Sequence, residues 1–153
     1  MALTTNKAET AMLIRKPVAE VFQAFVDPTI TSKFWFTKSS GHLIEEQNVT
    51  WTWKMYNHSV PVKVVQLIAD RLIVIEWGKY DKQTTVNFDF QALNENQTFI
   101  TIINFGFQGS ESEIIKNIID STGGFTWVLA GLKAYLEHSI QLHLIEDRFP
   151  KGK

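Results

Sequence analysis

The sequence predicts an α+β domain in which an antiparallel sheet of six or seven strands curves around one long C-terminal helix. Two short helices are indicated early, by the prolines of Lys16-Pro17 and Asp27-Pro28. Apolar residues then recur at every second position between residues 42 and 106, which is the period of half-buried strands. Helical periodicity returns after that region. This order predicts a sheet that grips a helix, and such a grip tends to enclose a pocket.

A first strand is predicted at residues 8 to 15, and the two short helices follow the first strand directly. Pro17 suits the first turn of a helix, because the N–H that it lacks would have no partner there. Asp27 can cap the second helix, with Pro28 in its first turn. The residues expected to point inward from the two helices are Val18, Val21, Phe22, Phe25, Ile30, Phe34 and Trp35.

The middle of the chain reads as a meander of strands joined by short turns. Residues 49 to 55 alternate cleanly, so that Val49, Trp51, Trp53 and Met55 share the inward face. Turns are expected at residues 56–59, 69–71 and 94–96, where polar residues interrupt the apolar pattern. The further strands are predicted around Val60 to Ile68, Leu72 to Trp77, Val86 to Gln91, and Phe99 to Phe105.

The end of the chain is predicted to be helical and then extended. A short apolar helix face around residues 114–119 is interrupted by Gly123-Gly124, and a second helix runs from there to about His138. Its apolar stripe consists of Phe125, Val128, Leu129, Leu132 and Leu136. Residues 140–144 alternate again and predict an extended tail. We therefore expect one domain over residues 1–153, with a core at about 8–138 and a tail at 139–153.

Composition excludes several classes of protein. Fifteen basic and sixteen acidic residues give a net charge of -1, and no basic run favours a nucleic-acid partner. No apolar run approaches the ~20 residues that a membrane-spanning helix needs. The N-terminus lacks an apolar signal region, and cysteine is absent, so we expect a cytoplasmic protein without membrane insertion. The four histidines lack metal-ligand spacing, and we expect neither a metal nor another cofactor.

Glu76 is the one carboxylate embedded in an apolar strand, between Ile75 and Trp77. If it faces the interior, burial would raise its pKa, and it could anchor a ligand or act as a general acid or base. If it lies at a strand end, it is a rim carboxylate without such a role.

Aromatic walls with few polar groups are the usual make-up of small-molecule pockets, although the same rings can also form plain core. We therefore predict a ligand-binding wall between the sheet and the C-terminal helix. Its predicted residues are Trp35, Trp51, Trp53, Glu76, Trp77, Phe88, Phe90, Phe105, Leu129 and Leu132.

Trp127 lies about 200° around the predicted helix from Phe125, opposite the apolar stripe. A tryptophan beside small residues such as Ala130 and Gly131 should be covered by something. The alternatives are the tail at Ile140 to Leu144, which we favour, the first helix pair, a partner protein or second subunit, or the cavity itself if the helix is kinked at Gly123-Gly124.

Several segments together resemble the START-like (SRPBCC) superfamily. These segments are residues 15–22, 25–28, 33–35, 72–77 and 123–133, which read RKPVAEVF, FVDP, KFW, LIVIEW and GGFTWVLAGLK. Within this superfamily, the five segments are most similar to the branch named for the C-terminal domain of the activator of the heat-shock-protein-ninety ATPase. The resemblance covers roughly residues 8 to 138. One departure is that the last helix opens with Gly124-Phe125, with Trp127 two places further on.

The resemblance implies a helix-grip fold with a cavity between sheet and helix. Families of this kind bind lipids, polyketides, flavonoids or other hydrophobic ligands, and some members are cyclases or hydrolases. We therefore expect a non-catalytic carrier or sensor of a lipid, polyketide or aromatic metabolite. The alternatives are a cyclase- or hydrolase-type enzyme that uses Glu76 as its base, and a co-chaperone-like protein-interaction module that uses the Trp127 side.

Overall fold

The computed structural model describes residues 6–79 and 81–151, and within them seven strands form one antiparallel sheet. Their order across the sheet is β1-β7-β6-β5-β4-β3-β2, so only β1 and β7 are neighbours without being consecutive in the chain. The strands are β1 (Lys7–Ile14), β2 (Lys38–Ser39), β3 (Asn48–Trp53), β4 (His58–Ile68), β5 (Leu72–Trp77), β6 (Thr84–Asn94) and β7 (Gln97–Phe105). The predicted α+β helix-grip class is confirmed, and β2 is an addition to the predicted elements.

Two short helices, α1 (Val18–Val26) and α2 (Pro28–Thr31), follow β1 as predicted. Asp27 caps α2, because its Oδ1 accepts the N–H of Thr29 at 3.0 Å. The chain leaves the helix at once, and the following turn places Phe34 and Trp35 in the core. These two residues are therefore buried as expected, although they lie just beyond α2 and not within it.

Met55 and Ile68 are exposed, although the predicted alternation places them on the inward face of the sheet. Met55 lies on a turn of 3-10 helix, Lys54–Tyr56, because β3 already ends at Trp53. In β4, a bulge after Val64 reverses the alternation. Leu67 therefore packs against the core, and Ile68 points outward.

The closing helix α3 (Glu111–His138) is continuous over 28 residues, so the predicted interruption at Gly123-Gly124 is wrong. Its start is fixed by a capping box between Ser110 and Glu113. Each mid-helix glycine costs about 1 kcal/mol relative to alanine, but the packing of α3 along β1 keeps the helix intact. One contact between them joins Thr10 and Thr126, whose hydroxyl oxygens are 2.8 Å apart.

A short helix follows where the sequence predicts an extended tail. Ser139, at φ 58°, ends α3 in the left-handed conformation, and α4 (Leu144–Arg148) begins after a second such residue, His143. α4 folds back over the gap between α3 and the sheet, which makes it part of the site described next. No helix of the described residues is long and apolar enough to cross a membrane.

Candidate ligand-binding site

One half of the space between the sheet and α3 is filled by a close-packed aromatic cluster around Trp35. The ring centre of Trp35 lies 4.8 Å from that of Trp51, and Phe36 stacks on Trp51 at 4.9 Å. Five of the residues that we predicted to form a ligand-binding wall are buried in this close-packed half. These are Trp51, Phe88, Phe90, Leu129 and Leu132, each at most 2% exposed. They face other side chains, so they form core and do not line the cavity.

The other half of this space remains open and forms a cavity of about 450 Å³. Trp77 of β5 lies on the sheet side of this cavity, and Phe125 and Trp127 of α3 line it from the helix. Trp35 also lines it. Gly124 contributes to the opening, since a Cβ atom built there would meet nothing within 4 Å.

Two smaller spaces adjoin this cavity. A space of about 370 Å³ is lined by Trp53 and shares Tyr56 and Trp77 with the main cavity. Another space, of about 310 Å³, is lined by residues of α4 and shares Trp35 and Ile145 with the main cavity. The predicted wall residues that line a cavity are thus Trp35, Trp53 and Trp77.

Segment 144–149, which contains α4, supplies the outer wall. Ile145, Arg148 and Phe149 line the cavity, and the Tyr56 hydroxyl donates a hydrogen bond to the carbonyl of Ile145. Burial raises the pKa of Tyr56, so its hydroxyl stays protonated and able to donate at neutral pH. The wall is therefore tied to the sheet side through Tyr56.

Trp127 is half-buried under this outer wall. The Arg148 guanidinium carbon lies 5.4 Å from the centre of its ring, within the range of a cation–π contact. The favoured prediction that the tail covers Trp127 is right about the segment but wrong about its residues. Ile140 and Leu142 are 49% and 45% exposed, and the cover is Arg148 of α4. The ring also reaches the cavity, although the helix has no kink.

A polar cluster interrupts the apolar wall where β6 and β7 face α3. The side chain of Asn104 is buried, and its Nδ2 lies 2.9 Å from both Thr84 Oγ1 and the Thr85 carbonyl. Ser121 Oγ lies 2.8 Å from Asn104 Oδ1. Asn104, Thr84 and Ser121 all line the cavity. The sequence held a signal for this cluster, because Asn104 follows Ile100 and Ile102 on the inward face of β7.

Two predicted site residues lie on the opposite face of the sheet. Ile75 is fully buried, so its neighbour Glu76 points outward, where it borders a separate depression with Gln83 and Gln108. Phe105 follows the inward Asn104 and is likewise exposed. The predictions that Glu76 and Phe105 face the ligand cavity are therefore wrong.

The cavity mouth carries charges of both signs, from Lys82, Asp120 and Arg148. In the ranges 6–79 and 81–151, no group of three or more histidine, aspartate or glutamate side chains could hold a metal ion. The arrangement can bind an apolar molecule against the aromatic rings, with hydrogen bonds available from one wall.

Residues 15–137 match the protein family described as "Activator of Hsp90 ATPase homolog 1-like protein". The chain belongs to this family. The resemblance to the START-like superfamily is thereby confirmed, together with its branch. No curated protein matches the sequence significantly.

Solved structures share the fold at low sequence identity. The protein SSP2350 from Staphylococcus saprophyticus is 24% identical, with a TM-score of 0.76 over 89% of this chain and 95% of its own. The Aha1 dimer from Colwellia psychrerythraea is 16% identical, with a TM-score of 0.72 over 86% of this chain and 96% of its own. DynU16, a protein of the dynemicin biosynthetic locus, is 15% identical, with a TM-score of 0.77 over 89% of this chain and 49% of its own. The TM-scores show that these proteins share the fold of this chain.

Proposed function

We propose that the chain binds a small hydrophobic, ring-containing molecule between the sheet and α3, as a carrier or sensor. The observation that carries this proposal is the cavity of about 450 Å³ walled by Trp77, Phe125 and Trp127. Its volume lies within the range of about 300–1,000 Å³ that is typical of small-molecule pockets. An aromatic wall with a few polar groups is the usual lining of such pockets.

An aromatic metabolite fits this wall better than a flexible lipid chain. Flat rings can lie against the indole and phenyl faces, and such ring pairs contribute beyond the area that they bury. DynU16 belongs to a biosynthetic locus, which supports a metabolite as the class of ligand.

Gly124 offers a direct test, because it lines the cavity and a Cβ atom there would meet nothing within 4 Å, so a leucine should extend into the cavity from α3. Gly123 is the matched control, since it also has open space around it but does not line the cavity. Both substitutions improve helix propensity by roughly 0.8 kcal/mol and should raise stability alike.

The measurement is a fluorescence titration with the neutral dye phenylnaphthylamine, beside thermal unfolding of each variant. We expect Gly124→Leu to weaken dye binding at least about tenfold, equivalent to 1.4 kcal/mol. Gly123→Leu should bind like the parent. Equal binding by both variants would place the dye elsewhere and contradict the proposal.

The enzyme alternative loses its predicted base, because Glu76 faces away from the cavity. We therefore propose binding without catalysis by Glu76. Glu76→Gln should leave dye affinity unchanged, and a loss of affinity in this variant would restore Glu76 to the site.

Self-association is a second proposal, supported by the relative from Colwellia that is described as a dimer. Among the described residues, the most exposed large apolar side chains are Ile115 and Ile119 of α3, at 54% and 64%. We propose this face as the contact, since Arg148 already covers Trp127. A dimer on a sizing column that becomes a monomer with Ile119→Glu, but not with Trp127→Ala, would support it. A monomeric parent would refute it.

The single domain over residues 1–153, the cytoplasmic location and a chaperone partner also remain proposals. The family name supports the chaperone partner, and the absence of cysteine supports the location.

A further inference from the structure

The orientation of the Asn104 amide is fixed by its neighbours. The Thr85 carbonyl can only accept a hydrogen bond, so the side-chain atom 2.9 Å from it must be the nitrogen Nδ2. The oxygen Oδ1 then faces Ser121, and at 2.8 Å the Ser121 hydroxyl must be the donor. The same amide nitrogen donates its second hydrogen to Thr84 Oγ1 at 2.9 Å.

This network leaves two complementary groups at the cavity wall. Thr84 accepts from Asn104 through its oxygen, so its own hydroxyl hydrogen remains for another partner. Ser121 has used its hydrogen on Asn104, so its oxygen lone pairs remain. Asn104 thus holds the Thr84 hydroxyl in place as a donor and the Ser121 oxygen as an acceptor. Thr84 and Ser121 both line the cavity. A hydroxyl group, which donates and accepts at once, is the smallest group that satisfies both.

The aromatic walls lie directly beside this pair. Thr84 is the cross-strand partner of Trp77, and Ser121 precedes Phe125 by four residues on α3, which is about one helical turn. A ring that lies between Trp77 and Phe125 would therefore bring a substituent at its edge to Thr84 and Ser121.

We propose that Thr84 and Ser121, positioned by Asn104, select ligands that carry a hydroxyl group on an aromatic ring. This inference rests on the proposed binding function and adds the group that determines specificity. An unsubstituted ring would cover the Thr84 donor and the Ser121 acceptor without offering either a partner, which lowers its affinity.

Naphthol and naphthalene form a suitable pair of probes, because they differ by the one hydroxyl group. Their affinities are measured at neutral pH, where naphthol is uncharged, by displacement of phenylnaphthylamine from the full chain. We expect the parent to prefer naphthol by about fivefold or more, as one additional hydrogen bond provides.

Thr84→Val and Ser121→Ala should each reduce this preference, and Thr84→Ser, which keeps the hydroxyl, should retain it. Thermal unfolding of each variant verifies that it is folded. If Thr84→Val does not fold, Ser121→Ala provides the test in its place. A parent that binds both probes equally, or a Thr84→Val protein with the full preference, would overturn this inference and leave the binding function standing. Failure of the dye and both probes to bind would overturn both proposals.

Discussion

The two halves of the space under the sheet contain similar side chains but differ in packing. Around Trp35, Phe36 and Trp51 the rings contact one another closely and the side chains are almost fully buried. Around Trp77 and Trp127 the rings face a cavity of about 450 Å³. We refer to these as the closed half and the open half.

The difference between the halves lies in the residues that accompany the rings. In the open half α3 presents Ser121 and Gly124, small residues that leave space between the helix and the sheet, and β7 presents the polar Asn104. In the closed half α3 presents Leu129 and Leu132, which fill the space. Aromatic content alone therefore does not reveal a pocket, whereas small and polar residues on inward positions do.

The largest expected effect separates the halves by stability. Trp51→Ala should cost about 3–5 kcal/mol of unfolding free energy, because it empties a close-packed site. Trp127→Ala should cost under about 1 kcal/mol, since this ring is only partly buried and held by one cation–π contact. Urea unfolding of both variants measures the contrast, and equal losses would show that the halves are packed alike.

Acid sensitivity should come from Glu137 near the end of α3, whose carboxylate binds the backbone just after β1. Its side chain is 8% exposed, and its Oε2 accepts the Arg15 N–H at 2.7 Å and the Lys133 ammonium at 2.8 Å. Burial alone would raise the pKa of Glu137, but the hydrogen bonds from Lys133 and Arg15 outweigh it and hold the pKa below its usual value.

A carboxylate with a lowered pKa stabilises the fold above its unfolded-state pKa, and this contribution is lost as the pH falls through the folded-state pKa. Glu137→Gln should cost about 2 kcal/mol at neutral pH. Its stability should also fall less steeply than that of the parent as the pH drops from the unfolded-state pKa of Glu137 through its folded-state pKa. Unfolding measured across the acidic range tests this. An unchanged slope in the variant would assign the acid sensitivity to other carboxylates.

Glycine substitutions on α3 should differ in sign according to what faces each glycine. A Cβ at Gly131 would lie 3.2 Å from Phe34 Cβ and 3.3 Å from its carbonyl oxygen, so Gly131→Ala forces the two elements apart. We expect a net loss of about 1 kcal/mol, because overpacking exceeds the gain in helix propensity. Gly123→Ala, with open space around it, should gain roughly that amount. Thermal unfolding distinguishes the two variants. If both were stabilised, Phe34 would be able to move away from the new methyl group at little cost.

The smallest effect concerns the outer wall of the open half. Arg148→Ala removes the contacts with the rings of Trp127 and Phe149, which together contribute about 1 kcal/mol. We expect faster hydrogen exchange in residues 144–149 with little change elsewhere. Arg148→Lys keeps the charge but loses the planar stacking, so its exchange rate in residues 144–149 should lie between those of the parent and Arg148→Ala. Unchanged exchange would show that the Tyr56 bond to Ile145 is sufficient to hold the wall.

Most of the fold follows from sequence periodicity, and so does part of the site. The proline-cued helices and the alternating strands are where the pattern predicts them. Period two also places Glu76 outside, because its neighbours Ile75 and Trp77 point inward, so this error could have been avoided. The bulge after Val64 and the intact helix at Gly123-Gly124 could not be predicted, since tertiary packing overrides the local pattern there. Whether an inward ring meets a neighbour or a gap depends on distances that no local pattern contains.

The spacing of the indole rings has an optical consequence. The ring centre of Trp35 lies 4.8 Å from Trp51, 6.4 Å from Trp53 and 5.8 Å from Trp77, which is close enough for their excited states to couple. These four tryptophans should absorb and emit as one group, with paired bands of opposite sign in the circular dichroism of their aromatic transitions. Trp127 is held against Arg148 at the cavity and contributes a separate signal. Because Trp35 and Trp77 of the coupled group also line the cavity, a bound ring should change the coupled signal and the Trp127 signal together.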